Sequence, residues 1–396
     1  MNTKIIATPE VWMEGDALLQ LNTVASNEDC ERAVGMPDLH PGPGIPIGAA
    51  FAFRSTIHPR LVGSDAGCGA LVVALGKVKL TSNLERRIRA EFDQAPIPGH
   101  DSQEICREVW KHGPKALAGF DISDTTTYLG ETLSEDELMP SGDLPSALYG
   151  AALGTIGGGN HFAEIGKVKT VVDKHAAESL GLRQNSLVLL CHSGSRGLGK
   201  ALSDKWGHRE IRQEDASEYL SELAGAIRFA KANRVLLASR LLRALGVSRP
   251  SKITCAFDAV HNDVCHEECG SGARWVHRKG CAKAYSGQLA AVLGSRGTPS
   301  WIMRGNGNYD GLRSVAHGAG RKMQRSEARA KIRERYKRKQ LHQSANGALV
   351  ICDDKSLLYE EHPDAYKAIE PVISSLELSG LAERIVSVEP VITVKK

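Results

Sequence analysis

Short apolar runs, each closed off by Gly, Pro, Ser or Asp, recur along the chain and predict strands at Ala49–Phe53, Ala70–Leu75, Ser186–Cys191, Trp301–Arg304, Ala348–Cys352 and Ile385–Val394. A 3.6-residue period is clearest over Asp215–Leu245, where Leu220, Leu223, Ala224, Ile227, Leu237 and Leu241 fall on one stripe. Asp215 and Glu218 read as a capping pair for that helix, and Gly246 as its stop. A second helix is predicted over Ser326–Gln343, and the acidic stretch Asp121–Asp143 reads as a surface excursion. No Pro/Ser-rich linker interrupts the pattern, so strands and helices are expected to interleave in one α+β domain spanning residues 1–396.

Composition narrows the class. Hydrophobic residues make up 42% of the 396, enough for a sizeable core, and the net charge of +4 tolerates a polyanionic partner without demanding one. Nine cysteines, an odd number in a long chain, argue against a disulfide framework. The N-terminus meets Glu10, Glu14 and Asp16 before any continuous apolar stretch, and no run approaches a membrane span. A reducing, cytoplasmic setting without a membrane is therefore expected. Glycine is the outlier, at 40 of 396, about 10% against a usual ~7%.

That glycine gathers in six segments, each bearing Cys, His, Asp or Asn: Met36–Gly48, Val62–Gly69, Gly154–Glu164, Cys191–Gly199, Arg304–Asn308 and Ala316–Arg321. Glycine admits close backbone approach to a ligand, so several loops are expected to assemble one site. Asp65, Cys68, His161, His192 and His261 supply a carboxylate, a thiol and three imidazoles, a set able to hold one or two divalent cations. Taken singly, each is more simply a structural residue; together they point to metal, and ligand softness alone would choose zinc. His317, followed by small residues and then Arg321, is open to an incoming group and can act as a nucleophile toward phosphorus. If HNDVCHEEC is helical, His261, Cys265 and Cys269 share a face, although the two thiols read more simply as idle. The run Arg321–Lys339 carries ten Lys and Arg against Glu327 and Glu334 and reads either as a solvated face or as a track for a polyanionic backbone.

The segments MPDLHPGPG, VGSDAGCG, GTIGGGNHFAE, HSGSRGLG, HNDV, RKGCAKAYSGQ, LGSRGTPSWIMRGNGN and SVAHGAGR, in this order from Met36 to Lys395, resemble the RtcB-type RNA ligases. The resemblance implies a single α+β domain with a central β-sandwich and peripheral helices. It also implies joining of RNA 3′-phosphate or 2′,3′-cyclic phosphate ends to 5′-hydroxyl ends, using GTP and manganese. Carried over by position, Asp65, Cys68, His161, His192 and His261 would hold two Mn²⁺ ions, with Cys68 bridging, and His317 would become guanylylated. Nucleotide contacts would fall on Asn160, His161, Phe162, Ala163, Glu164, His261, Asn262, Leu293, Gly294, Ser295, Arg296, Ser300, His317, Gly318, Ala319, Gly320 and Lys395. Asp38, Arg196 and Arg321 would position RNA.

The chain departs from the family pattern at Pro43 (a lysine elsewhere), at Ser64 and Ala66, and at Arg296 in a turn that usually reads PGSM. These departures suggest a divergent RNA-repair branch, with an activating or release-factor-like protein as a further partner. Two other functions remain open: a metal-dependent RNA phosphodiesterase or nuclease without nucleotidyl transfer, and a non-catalytic RNA-binding protein.

Overall fold

The computed structural model describes residues 2–97, 99–134, 142–144, 147–270 and 272–396. All six predicted strands form. Gly69–Leu75 and Leu187–Ser193 are buried on both faces, which is why they read as unbroken apolar runs. Leu71, Val73, Leu187 and Leu189 join the main core, whereas Ala70, Val72, Val188 and Leu190 pack on the opposite side of the sheet. The strands order as Leu289–Val292, Ser300–Gly305, Ala382–Lys395, Phe162–Val171, Leu187–Ser193, Gly69–Leu75 and Ile253–Val260, with Leu349–Cys352 added parallel to Ala382–Lys395. The two end strands of this sheet approach each other, so it is nearly closed. A five-stranded sheet (Thr3–Ile5, Cys30–His40, Ile47–Phe53, Ala273–Lys279, Asn262–Glu268) shares a second apolar cluster with it. Met36, Ala50 and Val276 meet Val292, Trp301 and Met303 there.

The long helix spans Ser217–Leu245 and is buried along nearly its whole length, ending at Gly246 in the left-handed conformation (φ 72°). Its expected cap is not used. Asp215 closes a 3-10 turn, Ala216 takes the N-cap position without a side-chain bond, and Glu218 pairs with Lys205 at 2.8 Å. Buried polar residues on this helix brace the loops of the site. The Arg234 guanidinium donates to both oxygens of Asp258 (2.6 and 2.7 Å) and to the carbonyls of Gly67 (2.8 Å) and Ser193 (2.6 Å). Asn233 accepts from the N–H groups of Gly154 and Thr155 and donates to Ser193 Oγ. Arg234→Met would leave Asp258 buried and unpaired. It is expected to cost about 3–5 kcal/mol in denaturant unfolding, the usual penalty for breaking a buried ion pair.

Three other expectations need correction. The second helix covers only Arg325–Arg335, because Tyr336 turns extended to stack on His362 (4.5 Å between rings) and a 3-10 turn, Arg338–His342, follows. HNDVCHEEC is not helical: Asn262–Glu268 is a strand paired with Ala273–Lys279, which puts Cys265 beside Asp263 and away from His261. The acidic stretch is not wholly a surface excursion, since Asp124–Thr132 is a helix that buries Thr126 and Leu129, with Thr126 bonded to Ser239; residues 135–141 lie outside the described residues. Among the described residues no helix is long and apolar enough to cross a membrane.

Candidate active site

Four neighbouring strands each deliver a donor at the same end of the large sheet. Cys68 precedes Gly69–Leu75, His192 lies near the end of Leu187–Ser193, His161 precedes Phe162–Val171, and His261 follows Ile253–Val260. Strand register sets His192 opposite both Ala70 and Phe162. The His261 N–H donates to the Cys68 carbonyl at 2.8 Å, and Asn262 holds the turn by donating to the Asp65 carbonyl at 2.9 Å. Gly194 is required here: a Cβ at that position would lie 2.1 Å from Asp65 Oδ1.

The result is a compact donor cluster. Cys68 Sγ is 3.4 Å from Nε2 of both His161 and His192, His192 Nε2 is 3.3 Å from His261 Nε2, and Asp65 Oδ2 is 2.9 Å from His161 Nε2. Two triads can be drawn, Cys68–His192–His261 and Asp65–Cys68–His161, and Cys68 belongs to both. His192 Nδ1 faces the Asn160 carbonyl at 3.2 Å, which places the proton there and frees Nε2 to ligate. Burial, reinforced by neighbouring imidazoles, pushes the basicity of His192 and His261 far down, so both rings stay neutral. Burial also drives the Cys68 thiol up, with Asp65 adding to the effect, so a cation is what would convert it to thiolate. Burial disfavours the Asp65 charge, but His161 alongside outweighs it and holds the carboxyl well below its usual range. Asp65 Oδ1 and His161 Nδ1 are buried without partners among the described residues. This donor set fits divalent cations.

His317 follows the short strand Ser314–Ala316 on another part of the fold, yet its ring lies 4.8 Å from that of His261 and 6.3 Å from that of His192. Its Nδ1 is 2.7 Å from Asp38 Oδ2 and 2.8 Å from the Gly280 carbonyl. Two acceptors on Nδ1 put the proton of the neutral ring there and leave the Nε2 lone pair available. Asp38, expected to position RNA, is fully buried behind His317, with Oδ2 on the ring and Oδ1 without a partner among the described residues. The strand bearing it loses regular pairing between Gly35 and His40, around Pro37, and Gly48 (φ 82°) makes room for it, since a Cβ there would lie 2.6 Å from Asp38 Oδ1.

A cavity of about 600 Å³ opens beside the cluster. Of the residues expected to contact nucleotide, Asn160, Phe162, Glu164, Leu293, Gly294, Ser295, Arg296, His317, Gly318, Ala319, Gly320 and Lys395 line it. The others support it: Ala163 packs in the core, Ser300 Oγ accepts from the Gly294 N–H at 3.0 Å, and the His161 carbonyl receives Lys395 Nζ at 2.8 Å. His261 and Asn262 serve the donor cluster. Arg321, expected to position RNA, lines the cavity with four of its five N–H groups engaged by Glu361 (3.0 Å), Tyr366 and two backbone carbonyls. Arg196 is half-buried against Gly157, its Nε without a partner among the described residues. His40, Arg325, Glu361 and Tyr366 also line the cavity. None was singled out from sequence, although His40 and Arg325 stood within segments that were.

Glu164 Oε2 accepts from the Thr393 hydroxyl, whereas Oε1 is buried and unpartnered among the described residues. Burial raises this carboxyl to about 7 against the opposing pull of Thr393 and Lys395. An orphaned acceptor of this kind fits a ligand that donates.

A cation-suited donor cluster, a histidine with one ring nitrogen free and a roomy cavity beside both define a candidate metal-dependent enzyme. A family model described as tRNA-splicing ligase RtcB matches residues 20–213 and 208–396, and the chain belongs to the RtcB family. It is 36% identical to the RNA-splicing ligase RtcB2 of Escherichia coli, over 98% of this chain and 94% of that protein. The tRNA-splicing ligase RtcB of Pyrobaculum aerophilum is 27% identical over 92% of this chain and 87% of its own length. That of Archaeoglobus fulgidus is 26% identical, over 96% and 90%.

Proposed function

We propose that the protein is an RNA ligase that joins a 3′-phosphate end, or a 2′,3′-cyclic phosphate end once water has opened it, to a 5′-hydroxyl end with GTP as the activating nucleotide. The observation that carries this reading is the fixed Nδ1 of His317, which leaves Nε2 free at the wall of a cavity bordered by the donor cluster. In the first step the Nε2 lone pair attacks the α-phosphorus of GTP, forming an N–P bond and releasing pyrophosphate. An oxygen of the RNA 3′-phosphate then attacks that phosphorus, breaking the N–P bond to give RNA(3′)pp(5′)G and restoring His317. Finally the 5′-hydroxyl oxygen attacks the RNA-side phosphorus and GMP departs.

Two Mn²⁺ ions held by Asp65, Cys68, His161, His192 and His261, with Cys68 common to both, would neutralise triphosphate charge and polarise the reacting phosphoryl group. Asp38 and Gly280 hold the ring proton on Nδ1 throughout, and Asp38 steadies the positive charge the ring develops. The apolar cluster shared by the five-stranded sheet and the large sheet supports a sandwich-like arrangement of the two. Pro43 and Arg296, two departures from the family pattern, both line the cavity, so the divergence falls on the site itself; an RNA-repair branch with an activating or release-factor-like protein as partner is the reading we attach to it.

A joining assay tests the reading. Oligoribonucleotides with 3′-phosphate and 5′-hydroxyl ends should be sealed only with GTP and Mn²⁺, and His317→Ala should seal none. Cleavage of the strands without GTP would instead identify a phosphodiesterase.

Glu164 gives the base preference, because a carboxylate only accepts and the N1–H and N2–H₂ edge of guanine only donates. Glu164→Ala should bring GTP and ATP affinities toward equality; unchanged selectivity would remove Glu164 from the base site. The carboxylate is the form that binds guanine. GTP affinity should therefore be full above pH 7, where Glu164 is ionised, and should fall as pH drops through about 7, by up to about tenfold per unit. Glu164→Gln should flatten that profile between pH 6 and 8.

A further inference from the structure

Arg296 is a second buried polar side chain in the cavity wall, and the ligation steps leave it without a task. It is 8% exposed, its Nη2 donates to the Leu358 carbonyl at 3.1 Å, and its Nη1 is buried with no hydrogen-bond partner among the described residues. No carboxylate among the described residues forms an ion pair with it. An arginine held this way is costly unless an acceptor completes it. Its backbone is anchored: the Leu293 N–H donates to the His317 carbonyl at 2.9 Å, the Ala319 N–H donates back to the Leu293 carbonyl at 3.0 Å, and the Thr298 N–H closes the turn onto Ser295 at 2.8 Å. The turn bearing Arg296 is thus tied directly to the nucleophile loop.

The same cavity is lined by Glu164, whose Oε1 is an orphaned acceptor, and by Lys395, which already donates to the His161 carbonyl. An unpartnered acceptor and an unpartnered donor therefore belong to side chains that line one cavity. Guanine complements both. Its N1–H and N2–H₂ donors suit Glu164, and its O6 and N7 form the acceptor pair that arginine matches. Adenine would turn its 6-amino group toward the guanidinium, donor against donor.

We infer that Arg296 is a specificity residue that donates from Nη1 to the O6/N7 edge of the bound guanine, so that the base is read on two edges. This rests on the proposed use of GTP and deepens it.

Equilibrium binding to the full chain with Mn²⁺ tests the inference, using GTP, 7-deaza-GTP (C–H in place of N7) and ITP (no 2-amino group). The native protein should bind 7-deaza-GTP about tenfold more weakly than GTP, within the range for an arginine–guanine contact. Arg296→Met should bind GTP and 7-deaza-GTP alike, with GTP weakened about 10–100-fold and the ITP penalty intact, because that penalty belongs to Glu164. Arg296→Lys should recover part of the N7 discrimination. An unchanged ratio of GTP to 7-deaza-GTP in Arg296→Met would overturn the inference. So would a common loss for all three nucleotides, the mark of a merely structural role. If the native protein bound ATP as well as GTP, the guanine reading itself would fall. GTP preference with an unaltered N7 ratio would remove Arg296 alone.

Discussion

Replacing Cys68 with alanine is expected to empty the donor cluster and abolish RNA joining together. Cys68 is the one residue common to both triads, its sulfur 3.4 Å from two imidazole nitrogens, so its loss weakens both positions at once. Removing an outer partner of a metal ligand typically costs about 10–100-fold in affinity, and a shared ligand should exceed that. The thiol is small and its neighbours are braced from the backbone by Arg234, so Cys68→Ala should keep the fold. Elemental analysis after gel filtration checks this. Less than one Mn²⁺ per chain, with an unchanged melting temperature, is the expected result; two ions retained would mean that the cluster is not the metal site.

Asp38→Asn should slow the covalent step while leaving metal content untouched. The substitution preserves shape but can present an amide N–H toward His317, favouring the tautomer whose Nε2 carries the proton and cannot attack. An aspartate-to-asparagine change behind a catalytic histidine can cost roughly 10⁴-fold. Here the Gly280 carbonyl also accepts from Nδ1 at 2.8 Å and opposes the switch, so a loss of about 10²–10³-fold is expected from the scale of that example. Single-turnover labelling with GTP, run beside Mn²⁺ analysis, separates this from a metal defect. A rate within threefold of the native protein would strip Asp38 of its orienting role.

The candidate site was legible where chemistry and glycine coincide in a short segment. Asp65 and Cys68 in VGSDAGCG and His161 after three glycines stand out because turns that admit close approach carry donors. Six strands were legible because their short apolar runs are closed off by turn-forming residues. What holds the site together was not. Asp38 and His317 are 279 residues apart in sequence, and no local pattern links them. Asn233 and Arg234 lie in a helical stretch where polar residues ordinarily face water; only the buried packing of that helix makes them braces. The strand Asn262–Glu268 owes its conformation to its partner, Ala273–Lys279, a tertiary choice that overrides local propensity. The Asp215–Glu218 cap failed for a smaller reason: the chain spends those residues on a 3-10 turn and an ion pair to Lys205.

Everything in the proposed chemistry passes through one nitrogen. The most direct measurement is mass spectrometry of the protein after brief incubation with GTP and Mn²⁺ and without RNA, with digestion at neutral to alkaline pH because a phosphoramidate is acid-labile. A single GMP on the peptide containing His317, lost on acidification and absent from His317→Ala, is the predicted result. GMP on a lysine, or no adduct in a protein that still joins RNA, would contradict it.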